Sequence, residues 1–227
     1  MVIVGLIPAR GGSKGIPRKN IVKVGEFTLL ERGISLLIKS GCDQVYVSSE
    51  DDEILSLASI HGARPIKRPL EFSTDLASTE SVILDTISQL GLGDEDLLVT
   101  HQITSPFLTT KSVEKCIRAL QENPELNSTL VGIPDHSFQW KESPTGNWEP
   151  QGHTREFRPR RQELPQVIVE SGGIYVARVS KILESKNRFP NPTMCVPITF
   201  LESLDIDTPE DLESARRISE GLKNYEN

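Results

Sequence analysis

Short apolar runs alternate along this chain with segments of about a dozen residues whose apolar side chains recur at helical spacing, and that alternation restricts the possible folds most. Residues 2–7 (VIVGLI) read as a short buried strand. Residues 28–39 (TLLERGISLLIK) read as an amphipathic helix closed by Ser40-Gly41. The rhythm continues with a strand at 44–48, a helix at 51–61 ending at Gly62, a strand at 64–67 and a polar loop, RPLEFSTDLAST. A helix at 79–90 capped by Ser78 or Thr79, a strand at 96–100, a helix at 111–122 and a strand at 128–133 follow. Strands at 173–179 and 196–200 and a helix at 208–222 close the series. In that last helix Thr208 is the expected N-cap, Pro209 the first residue, and Glu210 and Asp211 suit the positive end of the dipole. Such alternation predicts an α/β fold, Rossmann-like, with a mostly parallel sheet covered by helices on both faces. Ligands of such sheets bind beyond the carboxyl ends of the strands, where Arg10 and Gln102 both emerge.

The first such strand end carries IPARGGSKGIPRKN, residues 7–20. Gly11, Gly12 and Gly15 allow tight turns and close approach to a ligand, while Arg10, Ser13, Lys14, Arg18 and Lys19 are threaded among them. Exposed amides and cations together suit a polyphosphate. The loop is neither a P-loop nor a dinucleotide fingerprint, and Pro17 opposes a helix starting directly after the glycines. A solvated turn with ordinary surface lysines is the alternative.

Asp205-Ile206-Asp207 is the second candidate site. In extended chain the two carboxylates point the same way while Ile206 faces inward. Two carboxylates beside phosphate suit Mg²⁺; the alternative is a pair of strand-end aspartates, one of them capping the next helix.

Residues 134–165 break the rhythm. They hold both tryptophans, Trp140 and Trp148, the turn Pro144-Thr145-Gly146-Asn147, and Arg155, Arg158, Arg160 and Arg161. The stretch exceeds an ordinary connection, and its aromatics argue for an ordered hairpin arm covering a partner subunit. The four guanidinium groups suit capture of carboxylate or phosphate, against the alternative of a solvated basic patch. His61, His101, His136 and His153 show no metal-ligand spacing and read as polar surface or loop residues. Ser105 reads as a turn residue rather than a nucleophile.

Composition narrows the class. The 227 residues suit one domain, 1–227, with 134–165 as an inserted arm, and a net charge of −7 opposes nucleic-acid binding. No apolar run reaches the roughly 20 residues of a membrane helix. The three cysteines, Cys42, Cys116 and Cys195, lack CxxC spacing and suit buried reduced thiols in a cytoplasmic protein.

Together these residues resemble the N-acylneuraminate cytidylyltransferase family. IPARGGSKGIPRKN resembles its N-terminal signature, QITSP at 102–106 its Q-P-T-S-P, and RRQELP at 160–165 its R-Q-x-L-P. GGIY at 172–175 resembles its N-G-A-I-Y and DIDTPEDL at 205–212 its closing motif. The resemblance implies attack of a nonulosonic acid's anomeric hydroxyl on the α-phosphorus of CTP, giving a CMP-sugar and pyrophosphate. It implies that Arg10, Ser13, Lys19 and Asn20 hold the triphosphate, with Ala9 and Gly12 also at the substrate. Arg68, Ser78 and Thr79 would lie near the cytosine, Gln102 and Arg161 near the sugar, and Asp205 and Asp207 would bind Mg²⁺. The catalytic set is then Arg10, Lys19, Asp205 and Asp207. The resemblance also implies CTP and an acidic sugar as substrates and a homodimer exchanging its arms. The chain departs from the pattern at Ile103, at Ser171, and at residues 167–171, where family members often carry an arginine. These departures fall on the acceptor side, leaving open a relative such as legionaminic or pseudaminic acid; Kdo cytidylyltransferases differ in the loop after P-A-R. A nucleotidyltransferase using another base or a sugar-phosphate acceptor, and a non-catalytic nucleotide-binding subunit, are the competing readings.

Overall fold

The computed structural model describes every residue except Ser13, Lys14, Asp75, 164–166 and Asn227, and excludes the side chains of Arg161 and 223–226. Eleven strands and six α-helices are found among the described residues. They run β1 (Ile3–Pro8), β2 (Lys23–Val24), β3 (Phe27–Thr28), α1 (Leu29–Lys39), β4 (Gln44–Ser49), α2 (Asp52–Ile60), β5 (Arg64–Lys67), α3 (Thr79–Leu90) and β6 (Leu97–His101). The chain continues with α4 (Thr110–Glu122), β7 (Ser128–Asp135), β8 (Gln139–Glu142), β9 (Trp148–Gln151), β10 (Val167–Arg178), α5 (Val179–Ser185), β11 (Thr193–Pro197) and α6 (Pro209–Glu226).

Seven strands form the main sheet in the order β11-β7-β10-β6-β1-β4-β5. All its pairs are parallel except those of β10, which lies antiparallel to both β6 and β7. The mostly parallel expectation holds, with β10 as the exception. That strand begins at Val167 rather than 173, because its first residues pair with Gly132–Asp135 of β7 before the register shifts between Glu170 and Tyr175. The last sheet strand lies at 193–197 rather than 196–200, and Phe200 is exposed in the turn beyond it. The pairs β2–β3 and the short α5 are additions to the expected series.

Alternation within strands explains the two cores. Val4 and Leu6 of β1 pack with Ile83 and Ile87 of α3 and Ile182 of α5, while Ile7 packs with α1, α2, α4 and α6 on the opposite face. Gly5 lies beneath α1, where an added Cβ would sit 3.0 Å from Leu37 Cδ1.

The helix starts follow their sequence signals. Thr28 accepts from the Glu31 amide (3.1 Å), and Glu31 accepts from the Thr28 amide (2.6 Å), closing a capping box worth about 1 kcal/mol. Ser78 caps α3 by accepting from the Ser81 amide, and Thr208 accepts from the Asp211 amide while Asp211 accepts from Thr208 in return.

Residues 139–151 form the expected hairpin, β8 against β9, turned at Gly146 with φ +80°. Three readings change. His101 is buried in β6 instead of lying on the surface. Cys195 is exposed, although Cys116 is buried and Cys42 partly so. Residues 68–79 include a 3-10 turn at Leu70–Phe72. No helix among the described residues is long and apolar enough to cross a membrane.

Candidate active site

The chain leaves β1 for β4 and β5 on one side and returns to β6 on the other, so β1 is a topological switch point. A cleft of about 470 Å³ opens at the carboxyl ends of these strands. It is lined by Pro8 at the end of β1, Arg10, Gly15, Lys19 and Asn20 beyond it, Arg68 after β5, Ser78 and Thr79 at the start of α3, Gln102 after β6, and Asp207. Eight of the residues expected at the substrate or metal therefore share one cavity. Ala9 is fully buried beneath it, with its amide donating to Ser48 O (3.0 Å). Gly12 and Asp205 are not among its lining residues. Ser13 and the Arg161 side chain lie outside the described residues.

The loop is held by the protein's own groups. Gly11 donates its amide to Glu50 Oε1 (2.7 Å), and Asn20, itself buried, donates from Nδ2 to Arg10 O (2.8 Å). Gly11 and Gly15 are needed for approach to protein: an added Cβ would meet Asp51 Oδ2 or Asp207 O at 2.5 Å. Gly12 has open space around its missing Cβ and is the glycine free to approach a ligand. Arg18 sits at φ +53° and turns away toward the start of α2, pairing with Asp51 (3.1 Å) and Glu53 (2.6 Å).

Arg68 is 5% exposed, and its Nε donates to Ser48 Oγ (3.1 Å). Burial pulls its pKa down, the charges of Glu50 and Asp85 support its cationic form, and Arg10 opposes it. Lys19 Nζ donates to Ile206 O (2.8 Å) and to Asp207 Oδ1 (3.0 Å), tying the loop to the acidic segment.

That segment behaves as its alternation predicts, though outside any sheet: Ile206 is 1% exposed and both aspartates reach solvent. Ile206 donates its amide to Thr104 O (2.9 Å). The Asp205 carboxyl is raised above its ordinary value, first by desolvation and then by the charge of Asp207, with the Thr104 hydroxyl and Lys19 acting against them. The two carboxylates are therefore close enough to repel, beside a cationic cleft. Among the described residues no group of three or more potential ligands gathers. Mg²⁺ needs only one or two carboxylates when phosphate supplies further oxygens, so this pair fits it.

The cleft also contains Phe72, Thr74, Ala77, Val82, Ile103 and Thr104, which motif reading did not assign. Thr104 had a signal, since it stands inside QITSP; Phe72 had only its place as an aromatic in a polar loop. Arg155 and Arg158 are committed elsewhere. They lie over the rings of Trp140 (5.3 Å) and Phe138 (4.0 Å) within the arm.

A family profile described as Cytidylyltransferase matches residues 4–227. The chain belongs to the cytidylyltransferase family. Among curated relatives of this cytidylyltransferase, the N-acylneuraminate cytidylyltransferase A of Danio rerio is 34% identical over 78% of the chain and 41% of its own length. The chain thus spans about two-fifths of that protein. The pseudaminic acid cytidylyltransferase of Campylobacter jejuni is 28% identical over 93% of each chain. The CMP-N,N'-diacetyllegionaminic acid synthase of Legionella pneumophila is 27% identical over 97% of each. Among solved structures, a CMP:2-keto-3-deoxy-manno-octonic acid synthetase complexed with CTP superposes with a TM-score of 0.69 at 18% identity, over 98% of this chain and 100% of the other. That likeness concerns the fold.

Proposed function

We propose that this cytidylyltransferase transfers the cytidylyl group of CTP to a nonulosonic acid, releasing pyrophosphate. The observation that carries the reading is the convergence of Arg10, Lys19 and Arg68 with Asp207 in one cleft at the switch point, in a chain of this family. Relatives named for pseudaminic and legionaminic acids match over nearly their full lengths, which favours an acid of that class.

The anomeric hydroxyl attacks the α-phosphorus, forming a new P–O bond while the bond to pyrophosphate breaks. Phosphoryl transfer of this kind depends on positioning and charge neutralisation. Arg10 and Lys19 neutralise the triphosphate, Ser13 and Asn20 help to hold it, and Ala9 and Gly12 also lie at the substrate. Arg68 and the first turn of α3, at Ser78 and Thr79, face the base, and Gln102 and Arg161 orient the sugar. Asp205 and Asp207 would hold Mg²⁺, which when bound supplies charge neutralisation at the phosphates and acidifies the attacking hydroxyl. Asp207, paired with Lys19, keeps that ammonium fixed at the cleft mouth.

The reading is tested by pyrophosphate release from CTP and Mg²⁺ with neuraminic, legionaminic, pseudaminic and Kdo acids in turn. Release with one acid identifies the acceptor. Silence with all four, together with a melting temperature raised by Mg²⁺·CTP, would leave the nucleotide half and remove the acid.

The arm supports a homodimer. Trp140, Trp148 and Phe157, with Val167 and Val169 where it rejoins the sheet, are large apolar groups left exposed. A monomer by light scattering at micromolar concentration would refute this assembly. The three cysteines are free thiols, Cys116 buried and Cys42 half-buried with both pushed up to about 12, a pattern that suits a reducing, cytoplasmic setting.

A further inference from the structure

Glu202 is a buried carboxylate that is not among the residues lining the cleft, 7% exposed, and accepts from donors on two segments. Its Oε1 accepts from Thr109 Oγ1 (2.7 Å) and Ser112 Oγ (2.5 Å), at the N-terminus of α4. Its Oε2 accepts from the Thr199 amide (3.0 Å) and hydroxyl (2.9 Å), in the turn that leads to Asp205. Burial alone would raise this carboxyl; the hydrogen bonds from Ser112, Thr109 and Thr199 outweigh it and bring it down to about 2. These hydrogen bonds favour the ionised form, and a carboxylate suits the positive end of α4.

The placement matters because of what lies at each end of the two segments it joins. Thr104 lines the cleft and accepts the Ile206 amide, while Thr109, five residues later, is held by Glu202. On the facing segment Ile206 is bonded to Thr104, and Glu202 stands four residues earlier. The two segments are thus pinned together at both ends, by Glu202 at one and by the Ile206 amide at the other. Beyond the Glu202 pin the acidic pair is tied by the Ile206 amide to Thr104 O, by Lys19, by the Asp207 amide to Asp211 Oδ2 (3.1 Å) and by the buried Ile206 side chain. Glu202 is thus the tie at the far end of the segment.

We infer that Glu202 is a positioning residue that fixes the Asp205–Asp207 segment against Thr104 and Lys19, and so sets where the two carboxylates meet the triphosphate. This rests on the proposed function for its kinetic consequence, though its structural consequence is independent of it. Glu202→Gln keeps the volume but turns an amide donor toward either the Thr199 amide or the α4 hydroxyls. Thr199→Val is the gentler variant, removing one hydroxyl and leaving the carboxylate in place.

The test combines two readouts on the full chain. Hydrogen exchange should quicken at the amides of 205–207 by about tenfold in Glu202→Gln, and less in Thr199→Val, while amides of β1 and β4 keep their protection. Turnover per folded site should fall by at least about tenfold in Glu202→Gln, with KM for CTP within about threefold of the parent and more Mg²⁺ needed for half-maximal rate. Unchanged exchange at 205–207 in both variants would overturn the inference whatever the activity. So would a lowered melting temperature accompanied by parental turnover per folded site, the signature of a role in stability alone. If the parent protein itself turns over none of the acids, the proposed function fails, and the exchange result still decides the place of Glu202.

Discussion

In the cleft, Arg68 is 5% exposed and fixed on Ser48, and Lys19 is held between Ile206 O and Asp207. In the arm, Arg155 and Arg158 lie over the rings of Trp140 and Phe138, while Trp148 is 55% and Phe157 67% exposed. Both regions concentrate cations, but the cleft holds Arg68 on Ser48 of β4 and Lys19 on the Ile206 carbonyl and the Asp207 carboxylate. The arm holds its arginines with side chains that are themselves half in water. The cleft is preorganised, as electrostatic catalysis requires, and the arm remains adaptable until something covers its rings.

The largest separation between the two should come with acid. His101 lies at the end of β6 under the cleft, fully buried, with Nδ1 bonded to Gly173 O (2.8 Å). Burial, opposed by that bond, brings its pKa down from 6.5 to about 4. Because the folded value is the lower one, the unfolded chain binds more protons, and the stability present above about pH 6.5 is lost toward pH 4. The loss by pH 4.5 is roughly 2–3 kcal/mol. Denaturant titrations at pH 7.5 and 4.5 measure it, and His101→Gln should flatten the difference. An unchanged pH slope in that variant would assign the acid lability elsewhere.

The ion pair at the cleft mouth comes next. Lys19→Ala and Asp207→Ala should each lower kcat by at least about tenfold without unfolding the protein. Because the two side chains touch, the double variant should cost less than the product of the single effects. Full additivity would mean that Lys19 and Asp207 act separately on the substrate.

The glycines sharpen the same point. Gly15→Ala drives a Cβ to 2.5 Å from Asp207 O, a backbone atom with little freedom to yield, and should lower turnover several-fold. Gly12→Ala meets nothing within 4 Å, so stability should hold while KM for CTP rises. An unchanged KM would remove Gly12 from the substrate surface.

This contrast also separates what was legible in the sequence from what was not. The loop, the helix caps at Ser78 and Thr208, and the alternation of Asp205, Ile206 and Asp207 are local signals, and local geometry follows them; the cap at Thr28 is local too, though the sequence places that residue inside the helix. The direction of β10 is not local. A strand's period is the same whichever way it runs, and its first half carries exposed valines with no clean alternation. The helix α5 has seven residues and no side-chain cap, so it left no start signal. Glu50 was invisible because its partner Gly11 lies 39 residues away; Glu202 has a local partner in Thr199, but the α4 partners that give it its place, Thr109 and Ser112, lie 93 and 90 residues away.

The smallest effect belongs to the arm. Arg155 lies over Trp140 at 5.3 Å and also donates to Trp148 O, so it touches both tryptophans of the chain. Exposed cation–π contacts contribute about 0.5–1 kcal/mol, and here the loss falls on a hairpin outside both sheet cores. Arg155→Ala should therefore leave global stability within about 1 kcal/mol of the parent by circular dichroism. Tryptophan emission should shift, since it reports the arm alone. KM for CTP should not move. A rise in KM for the acid at constant kcat would mean that the arm reaches a cleft in the assembled dimer, bringing to it the cations that the isolated chain keeps stacked on its own rings.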